Sequence, residues 1–418
     1  MKTIPFIVIL IVVFTACTSS NNRQKTEVKN TIIKEGIWRA ALKIDAEKPE
    51  LEIPFLLNIN KMDKSIEVEI INAEENIVCK EVCFKNDSIS IWIPVFDSEI
   101  RAIVSGDSLI GKWFNNAKGD YSMPFIAEHG VTQRFKNEII DPTASVEGRW
   151  YVEFSPETVD SYPAIGEFTQ ENNLITGTFL TETGDYRYLE GLITGNQFMV
   201  SCFDGSHAFL FTANIADDML LDGTFYSGKH WTEPWEAKKS DSLNIRDPYQ
   251  LTFLKDGYDT FEFAFPDLNG DTVSIYDGHF KNKLIIVQIM GSWCPNCIDE
   301  TFLLADIYDK YHEKGLEIVP IAFETADDME KVRRNLNRLK EYTGAKYDFL
   351  YGGKADKAIT STKLPMLNKI ISYPTTIFID RKGKLRRVHT GFSGPGTGKH
   401  YTKYVDELHS FLKTLLNE

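Results

Sequence analysis

The segment from Gln288 to Glu300, QIMGSWCPNCIDE, constrains the fold of this chain more than any other stretch. Its two cysteines, Cys294 and Cys297, follow an apolar run typical of a buried strand. From the cysteines onward, apolar residues recur at the spacing typical of a helix. The first sulfur would then lie at the helix N-terminus, where unpaired backbone N–H groups and the helix dipole favour a thiolate. The spacing predicts a nucleophilic Cys294 and, one turn further on, a resolving Cys297.

The sequence around this motif predicts an α/β domain. A polar linker, residues 237–248, is followed by strand and helix patterns in the order βαβαββα, which requires a mixed sheet with helices on both faces. The apolar residues of 364–371 predict a short helix leading into SYPTTIFID. The C-terminal domain is therefore expected to span residues 249–418.

The segments WCPNC and SYPTTIFID resemble those of thioredoxin-fold proteins, and more narrowly the TlpA/ResA group of exported thiol-disulfide oxidoreductases related to AhpC/TSA proteins. The resemblance covers about residues 249–418. It implies that Cys294 attacks the substrate disulfide and that Cys297 resolves the mixed disulfide. It also implies that Pro374 is a cis-proline packed against the pair, and that the backbone of Tyr373 pairs with an extended substrate segment.

Further positions define the subgroup. Thioredoxins keep a buried aspartate six residues before the first cysteine, where this chain has Gln288, a side chain that cannot exchange a proton. The TlpA/ResA group has a glutamate three residues after the second cysteine, which corresponds to Glu300, one helical turn from Cys297 and placed for acid-base catalysis. Trp293 is expected to contact substrate. Pro295 and Asn296 form the loop between the cysteines. The usual motif of this group is Cys-x-Pro-Cys, whereas this chain has Cys-Pro-Asn-Cys.

The redox direction stays open at this stage, although the resemblance favours a reductase of protein or peptide disulfides. The alternatives are a disulfide oxidase or isomerase, or a Cu(I)-handling protein with His389 as third ligand. A non-catalytic binding protein that acts through its β-rich region is a further alternative. No cofactor is expected beyond the Cys294–Cys297 disulfide. No metal site is expected either, since zinc would need four ligands.

The region from Gly36 to about Ser240 is predicted to be all-β. Short runs such as IEVEII, SISIWI and LITGTFL alternate apolar and polar residues and are separated by Gly, Asn and Asp. The aromatic residues of these runs are expected in the core rather than at a ligand site; they include Trp38, Trp113, Trp150 and Phe225.

An internal repeat divides this β-rich region. GIW at Gly36 returns as GRW at Gly148, and LIGKWF at Leu109 returns as LDGTFY at Leu221, each with an offset of 112 residues. One offset shared by two unrelated pairs predicts two similar halves. The expected units are residues 36–147 and 148–240.

The N-terminus predicts export. Residues 1–17 contain a lysine, then an apolar run too short to span a bilayer, then small residues that end at Cys17. The last four of these residues, Phe-Thr-Ala-Cys, resemble a bacterial lipobox. Residues 18–35 follow as a polar tether. We therefore expect a lipoprotein signal peptide, lipid attached to Cys17 and a periplasm-facing position in a bacterial cell envelope. A membrane or periplasmic thiol would then be the electron donor, because that compartment is oxidising.

The formal charge of −14 argues against a nucleic-acid-binding protein, which would need a basic face. The remaining cysteines, Cys79, Cys83 and Cys202, are expected to be buried or free thiols. Cys79 and Cys83 would lie too far apart to bridge on one extended strand, and Cys202 is their alternative partner.

Overall fold

The computed structural model describes residues 33–63 and 65–418. Its first unit is an antiparallel sheet in the strand order β4-β3-β2-β1-β9-β8-β7-β6-β5. The bounds are β1 (Gly36–Lys43), β2 (Glu52–Lys61), β3 (Ile66–Asn72), β4 (Glu75–Cys79), β5 (Val82–Lys85), β6 (Ser88–Trp92), β7 (Ser98–Ser105), β8 (Ser108–Asn115) and β9 (Tyr121–His129). Alternate residues of most of these strands are buried, as the period of two predicted.

The second unit is an antiparallel sheet that closes on itself. The strand order is β11-β10-β18-β17-β16-β15-β14-β12-β13, and an additional pairing of β11 with β12 completes a barrel. The bounds are β10 (Gly148–Phe154), β11 (Tyr162–Glu171), β12 (Leu174–Thr181), β13 (Gly184–Asp185), β14 (Leu189–Thr194), β15 (Gln197–Phe203), β16 (Ala208–Ala216), β17 (Met219–Ser227) and β18 (Trp231–Lys239).

Both units have aromatic cores. The four aromatic residues expected to be internal are each at most 3% exposed: Trp38, Trp113, Trp150 and Phe225. The core of the first sheet continues onto the outer face of the barrel, where Phe203 packs against Phe55 and Trp113. The two sheets therefore share apolar surface, and the prediction of a large β-rich N-terminal region is confirmed.

The third unit has the thioredoxin-like α/β fold. A five-stranded mixed sheet has the order β23-β22-β21-β24-β25, with β21, β22 and β23 parallel and the last two antiparallel. The strands are β19 (Ala264–Pro266), β20 (Thr272–Ser274), β21 (Leu284–Met290), β22 (Leu316–Glu324), β23 (Leu350–Lys354), β24 (Thr375–Ile379) and β25 (Leu385–Thr390). The helices are α1 (Pro295–Tyr311), α2 (Met329–Thr343), α3 (Lys357–Lys363) and α4 (Lys399–Asn417). Strands β19 and β20 form a separate hairpin.

Two details of this unit differ from the sequence prediction. The order βαβαββα omitted the hairpin strands β19 and β20, the edge strand β23 and helix α3. Leu350 to Lys354 contains two glycines and lacks a strand periodicity, and the seven residues of α3 are mostly polar. The helix expected over 364–371 is wrong: α3 ends at Lys363, and Leu364 is not helical. The physical reason is Pro365, whose ring disfavours helical backbone at the residue before it.

Cys17, the predicted signal segment 1–17 and all but the last three residues of the predicted tether lie outside the described residues. Within the part of the chain that the structure describes, no helix combines the length and apolar composition needed to cross a bilayer.

Candidate active site

The two cysteines lie at the start of α1, directly after β21. Cys294 is the N-cap residue with extended backbone, and Pro295 is the first helical residue, where its missing N–H costs nothing. The Cys294 backbone N–H donates to the carbonyl of Gly291 at 3.1 Å. The strand, the turn and the helix start therefore fix the first sulfur in place.

Both sulfurs are shielded from solvent. Cys294 is 8% exposed and its thiol donates to the carbonyl oxygen of Tyr373 at 3.4 Å. The Tyr373–Pro374 peptide bond is cis. Cys297 is fully buried, and burial, followed by the neighbouring Cys294, raises the pKa of its thiol well above the ordinary value. Cys297 therefore needs a proton acceptor before it can act as a nucleophile.

Glu300 is a buried carboxyl group on the same helix. Its two oxygens accept hydrogen bonds from Gln288 Nε2 at 2.9 Å and from Thr376 Oγ1 at 2.6 Å. Burial raises its pKa to about 7, although these two hydrogen bonds act in the opposite direction. Its charge also contributes to the raised pKa of Cys297, after burial and the neighbouring Cys294. A carboxyl group with a pKa near 7 can exchange a proton at neutral pH.

Gln288 connects this carboxyl group to the cysteine loop. Its amide nitrogen also donates to the carbonyl of Cys297 at 3.3 Å, and its amide oxygen accepts from Thr301 Oγ1 at 3.3 Å. Thr301 Oγ1 lies closer to the carbonyl oxygen of Cys297, at 2.7 Å, so its single hydroxyl proton is shared between these two acceptors. The glutamine thus fixes the orientation of Glu300 rather than exchanging protons itself.

A second buried carboxyl group, Glu324, supports the loop before the cysteines. It accepts from the backbone N–H of Ser292 at 2.8 Å and from Ser292 Oγ at 2.7 Å, and burial raises its pKa to about 7. Trp293 is held nearby, since its Nε1 donates to the carbonyl of Phe323 at 2.9 Å. Glu324 lies at the end of β22, and nothing local in the sequence distinguishes it from a solvated strand-end residue.

The barrel reaches the cysteines through strand β13 and its flanking residues. Asp185 Oδ2 accepts from the backbone N–H of Gly394 at 2.6 Å and from Asn296 Nδ2 at 3.4 Å. Asn296 also donates to the carbonyl of Phe392 at 3.0 Å. The residue between Pro295 and Cys297 therefore contacts a different unit of the chain.

Arg187 joins all three units beside the cysteine helix. It is 7% exposed and is ion-paired with Glu75 of the first sheet and Asp299 of α1, and its Nε lies 3.6 Å from Asp204 of the barrel. Burial raises the pKa of Asp299 to about 7, against the effect of the guanidinium. Burial would also raise the pKa of Asp204, but His207 and Arg187 hold it at about 2.

One cleft collects most of the predicted site residues. Its lining includes Trp293, Cys294, Pro295, Asn296 and Tyr373. Glu300 lies behind the cysteines rather than in this cleft. His389, the candidate third copper ligand, lines another cavity and contacts the carbonyl of Gly391 at 3.0 Å.

The other cysteines are separate from this site. Cys79 lies on β4 and Cys83 on β5, so they do not share one strand; Cys79 and Cys202 are buried and Cys83 is exposed. Among the residues with described coordinates, no group of three or more His, Cys, Asp or Glu side chains could hold a metal ion.

Residues 257–388 match the model of the AhpC/TSA family. The chain is also 30% identical over 142 residues to the thiol-disulfide oxidoreductase ResA of Bacillus thuringiensis subsp. konkukian, covering 33% of this chain and 73% of that protein. The chain belongs to the ResA-like family of thiol-disulfide oxidoreductases. This membership confirms the resemblance predicted from the cysteine and proline motifs.

A second relative of this ResA-like chain is the thioredoxin-like protein YneN of Bacillus subtilis, 25% identical over 138 residues, which are 33% of this chain and 73% of that protein. Among solved structures, a DsbE thiol:disulfide interchange protein from Chlorobium tepidum is 20% identical, with a TM-score of 0.30, over 39% of this chain and 99% of that one.

The ion pairs of Arg187 give a prediction for this ResA-like chain. Arg187→Ala is expected to lower the free energy of unfolding by about 3 to 5 kcal/mol, because it leaves buried carboxylates without their cation. Urea unfolding followed by tryptophan fluorescence measures the change. The control is Lys346→Ala, which breaks the ion pair between Lys346 and Asp309. Because these side chains are 64% and 53% exposed, the control should lower the free energy of unfolding by less than about 1 kcal/mol. Equal effects of the two substitutions would contradict a structural role for the Arg187 cluster.

Proposed function

We propose that this chain is a protein-disulfide reductase that uses Cys294, Cys297 and Glu300. The Cys294 thiolate attacks a substrate disulfide, forms a mixed disulfide and releases one substrate thiol. Cys297 transfers its proton to the Glu300 carboxylate and attacks the Cys294 sulfur. That step forms the Cys294–Cys297 disulfide and releases the second substrate thiol. The substrate gains two electrons, and an external dithiol restores the enzyme.

The observation that carries this proposal is the position of Glu300. It is buried, and its oxygen and the carbonyl of Cys297 accept from the same Gln288 amide nitrogen. Its pKa of about 7 suits a group that must accept a proton and release it again in each cycle. Gln288 and Thr376 hold both of its oxygens, so it is oriented before the reaction begins. A solvated helix residue would have neither property.

Trp293, Tyr373 and Pro374 are proposed to bind the substrate. Trp293 packs edge-on against Tyr373, with ring centroids 5.6 Å apart, and both line the cleft that contains Cys294. An extended substrate segment would run along the backbone at Tyr373 and present its disulfide to Cys294. Pro295 and Asn296 are proposed to set the redox potential, since loop residues between the cysteines control how the thiolate is stabilised.

The direction of electron flow, the cofactor and the location are also proposals. We infer a reductase that needs no cofactor beyond its dithiol and receives electrons from a membrane or periplasmic thiol. We further infer that residues 1–17 are a lipoprotein signal, that lipid on Cys17 anchors the protein and that residues 18–35 form a tether. The protein would then face the periplasm of a bacterial envelope.

We also propose that residues 36–147 and 148–240 are two copies of one β unit, placed before a catalytic domain at 249–418. Two matched details support this. Gly36 and Gly148 have φ angles of 101° and 105°, and each precedes a tryptophan by two residues. The indole N–H of Trp38 donates to the carbonyl of Lys34, and that of Trp150 to the carbonyl of Val146, again four residues upstream.

Mass spectrometry of the mature, oxidised protein tests the dithiol and the anchor together. We expect a single peptide that contains an internal Cys294–Cys297 disulfide, with Cys83 still free to react with an alkylating reagent. We also expect the chain to begin at Cys17 with attached lipid. Any other partner for Cys294 would contradict the proposed mechanism, whereas an unmodified N-terminus would contradict only the anchor.

A further inference from the structure

The cleft that contains Cys294 has one wall from each of two units. The thioredoxin-like wall includes Cys294, Asn296 and Tyr373, and the opposite wall comes from the barrel and includes Thr183 and His207. The cleft volume is about 260 Å³. Because Cys294 is only 8% exposed and lines this cleft, a substrate disulfide must enter the cleft to reach its sulfur.

Hydrogen bonds hold the barrel wall against the substrate-binding loops. Ser372 Oγ, next to the cis-proline bond, donates to the carbonyl of Thr183 at 2.6 Å. Ser206 Oγ donates to the carbonyl of Trp293 at 3.1 Å. These bonds join the wall to both sides of Cys294, at the loop that precedes it and at the cis-proline loop that faces it.

The loop after β25 is shaped for this contact. Gly391 has a φ of 76°, and a Cβ atom there would lie 2.8 Å from the carbonyl carbon of Thr183. The Gly394 backbone N–H donates to Asp185, as described above. The close approach of the two backbones indicates that the barrel packs directly against this loop and forms one wall of the site.

We propose that the barrel is a steric filter for the proposed reductase, and that it admits disulfides carried on extended or unfolded polypeptide segments while excluding disulfides on the face of a folded domain. A typical complex of two folded proteins buries about 800 Å² on each partner. The barrel wall occupies the surface beside Cys294 that such a partner would need. This inference rests on the proposed function and assigns its substrate class.

The test compares one disulfide in two settings with the full-length chain. The substrates are a folded domain with a solvent-exposed disulfide and a peptide excised from it that carries the same disulfide. Each kcat/KM is divided by the rate constant for reduction of the same disulfide by dithiothreitol, which removes intrinsic reactivity. We expect the corrected value to be at least ten-fold higher for the peptide.

Asp185→Ala removes the acceptor that joins the wall to Gly394 and Asn296, and should reduce this preference at least three-fold. The control is Glu236→Ala, an exposed position on β18 of the same barrel, which should leave it unchanged. Equal corrected values for the two substrates in the unaltered chain would overturn the filter alone, whether or not the Asp185 variant folds. Reduction of neither substrate would overturn the proposed function as well.

Discussion

Cys294→Ala is expected to reduce disulfide-reductase activity to the rate of the uncatalysed reaction. The reason is that Cys297 is fully buried and cannot replace Cys294 as the attacking sulfur, and its raised pKa keeps it protonated. The assay is reduction of a peptide disulfide with dithiothreitol as electron donor. Cys83→Ala is the matched control, because it removes an exposed thiol from another unit and should leave the rate unchanged.

Cys297→Ala should behave differently from Cys294→Ala. It leaves the attacking thiol in place but removes the group that resolves the mixed disulfide, so the substrate should remain attached to Cys294. Non-reducing gels or intact-mass measurement would detect that adduct. An adduct on Cys297 in the Cys294→Ala protein would contradict the assigned order of attack.

Glu300→Gln is expected to lower kcat by about 100-fold, within the 10²- to 10⁴-fold range typical of general acid-base groups. Glutamine fits the same space but cannot accept the Cys297 proton. In the unaltered enzyme kcat should rise with pH through about 7, because the carboxyl group must be ionised to act as a base. The variant should lose that rise.

Asp306→Asn is the control for Glu300→Gln, since it removes an exposed carboxylate from the same helix. It should keep both the rate and the pH profile. A Glu300→Gln enzyme with an unchanged pH profile and a lowered kcat would indicate that Glu300 only supports the structure.

The sequence could predict thiol-disulfide chemistry because the two cysteines and Glu300 are close together in the chain. Tyr373, 79 residues beyond Cys294, and Pro374 were assigned from the family resemblance instead. The spacing from Cys297 to Glu300 is one helical turn, and a helix start is encoded by the residues that form it. The strands on either side of α1, β21 and β22, were predicted for the same reason. Helix α3 was missed because its seven residues are mostly polar, and the helix expected over 364–371 fails because Pro365 disfavours helical backbone at Leu364.

The walls of the site could not be predicted in this way. Asp185 contacts Asn296 and Gly394 across 111 and 209 residues, and Arg187 pairs with Asp299 across 112. No local pattern encodes which carboxylate meets which cation when two separate units dock. The glycines between Gly391 and Gly398 are the one available signal, because several glycines in a short loop indicate a close approach of another backbone.

The reduction potential of the Cys294–Cys297 couple tests the central claim most directly. It is measured by equilibrating the full-length protein with dithiothreitol or glutathione redox buffers and quantifying its free thiols. A reductase should have a potential near that of thioredoxin, about −270 mV. A potential near the −120 mV or so of DsbA would make the chain an oxidant and contradict the proposed direction.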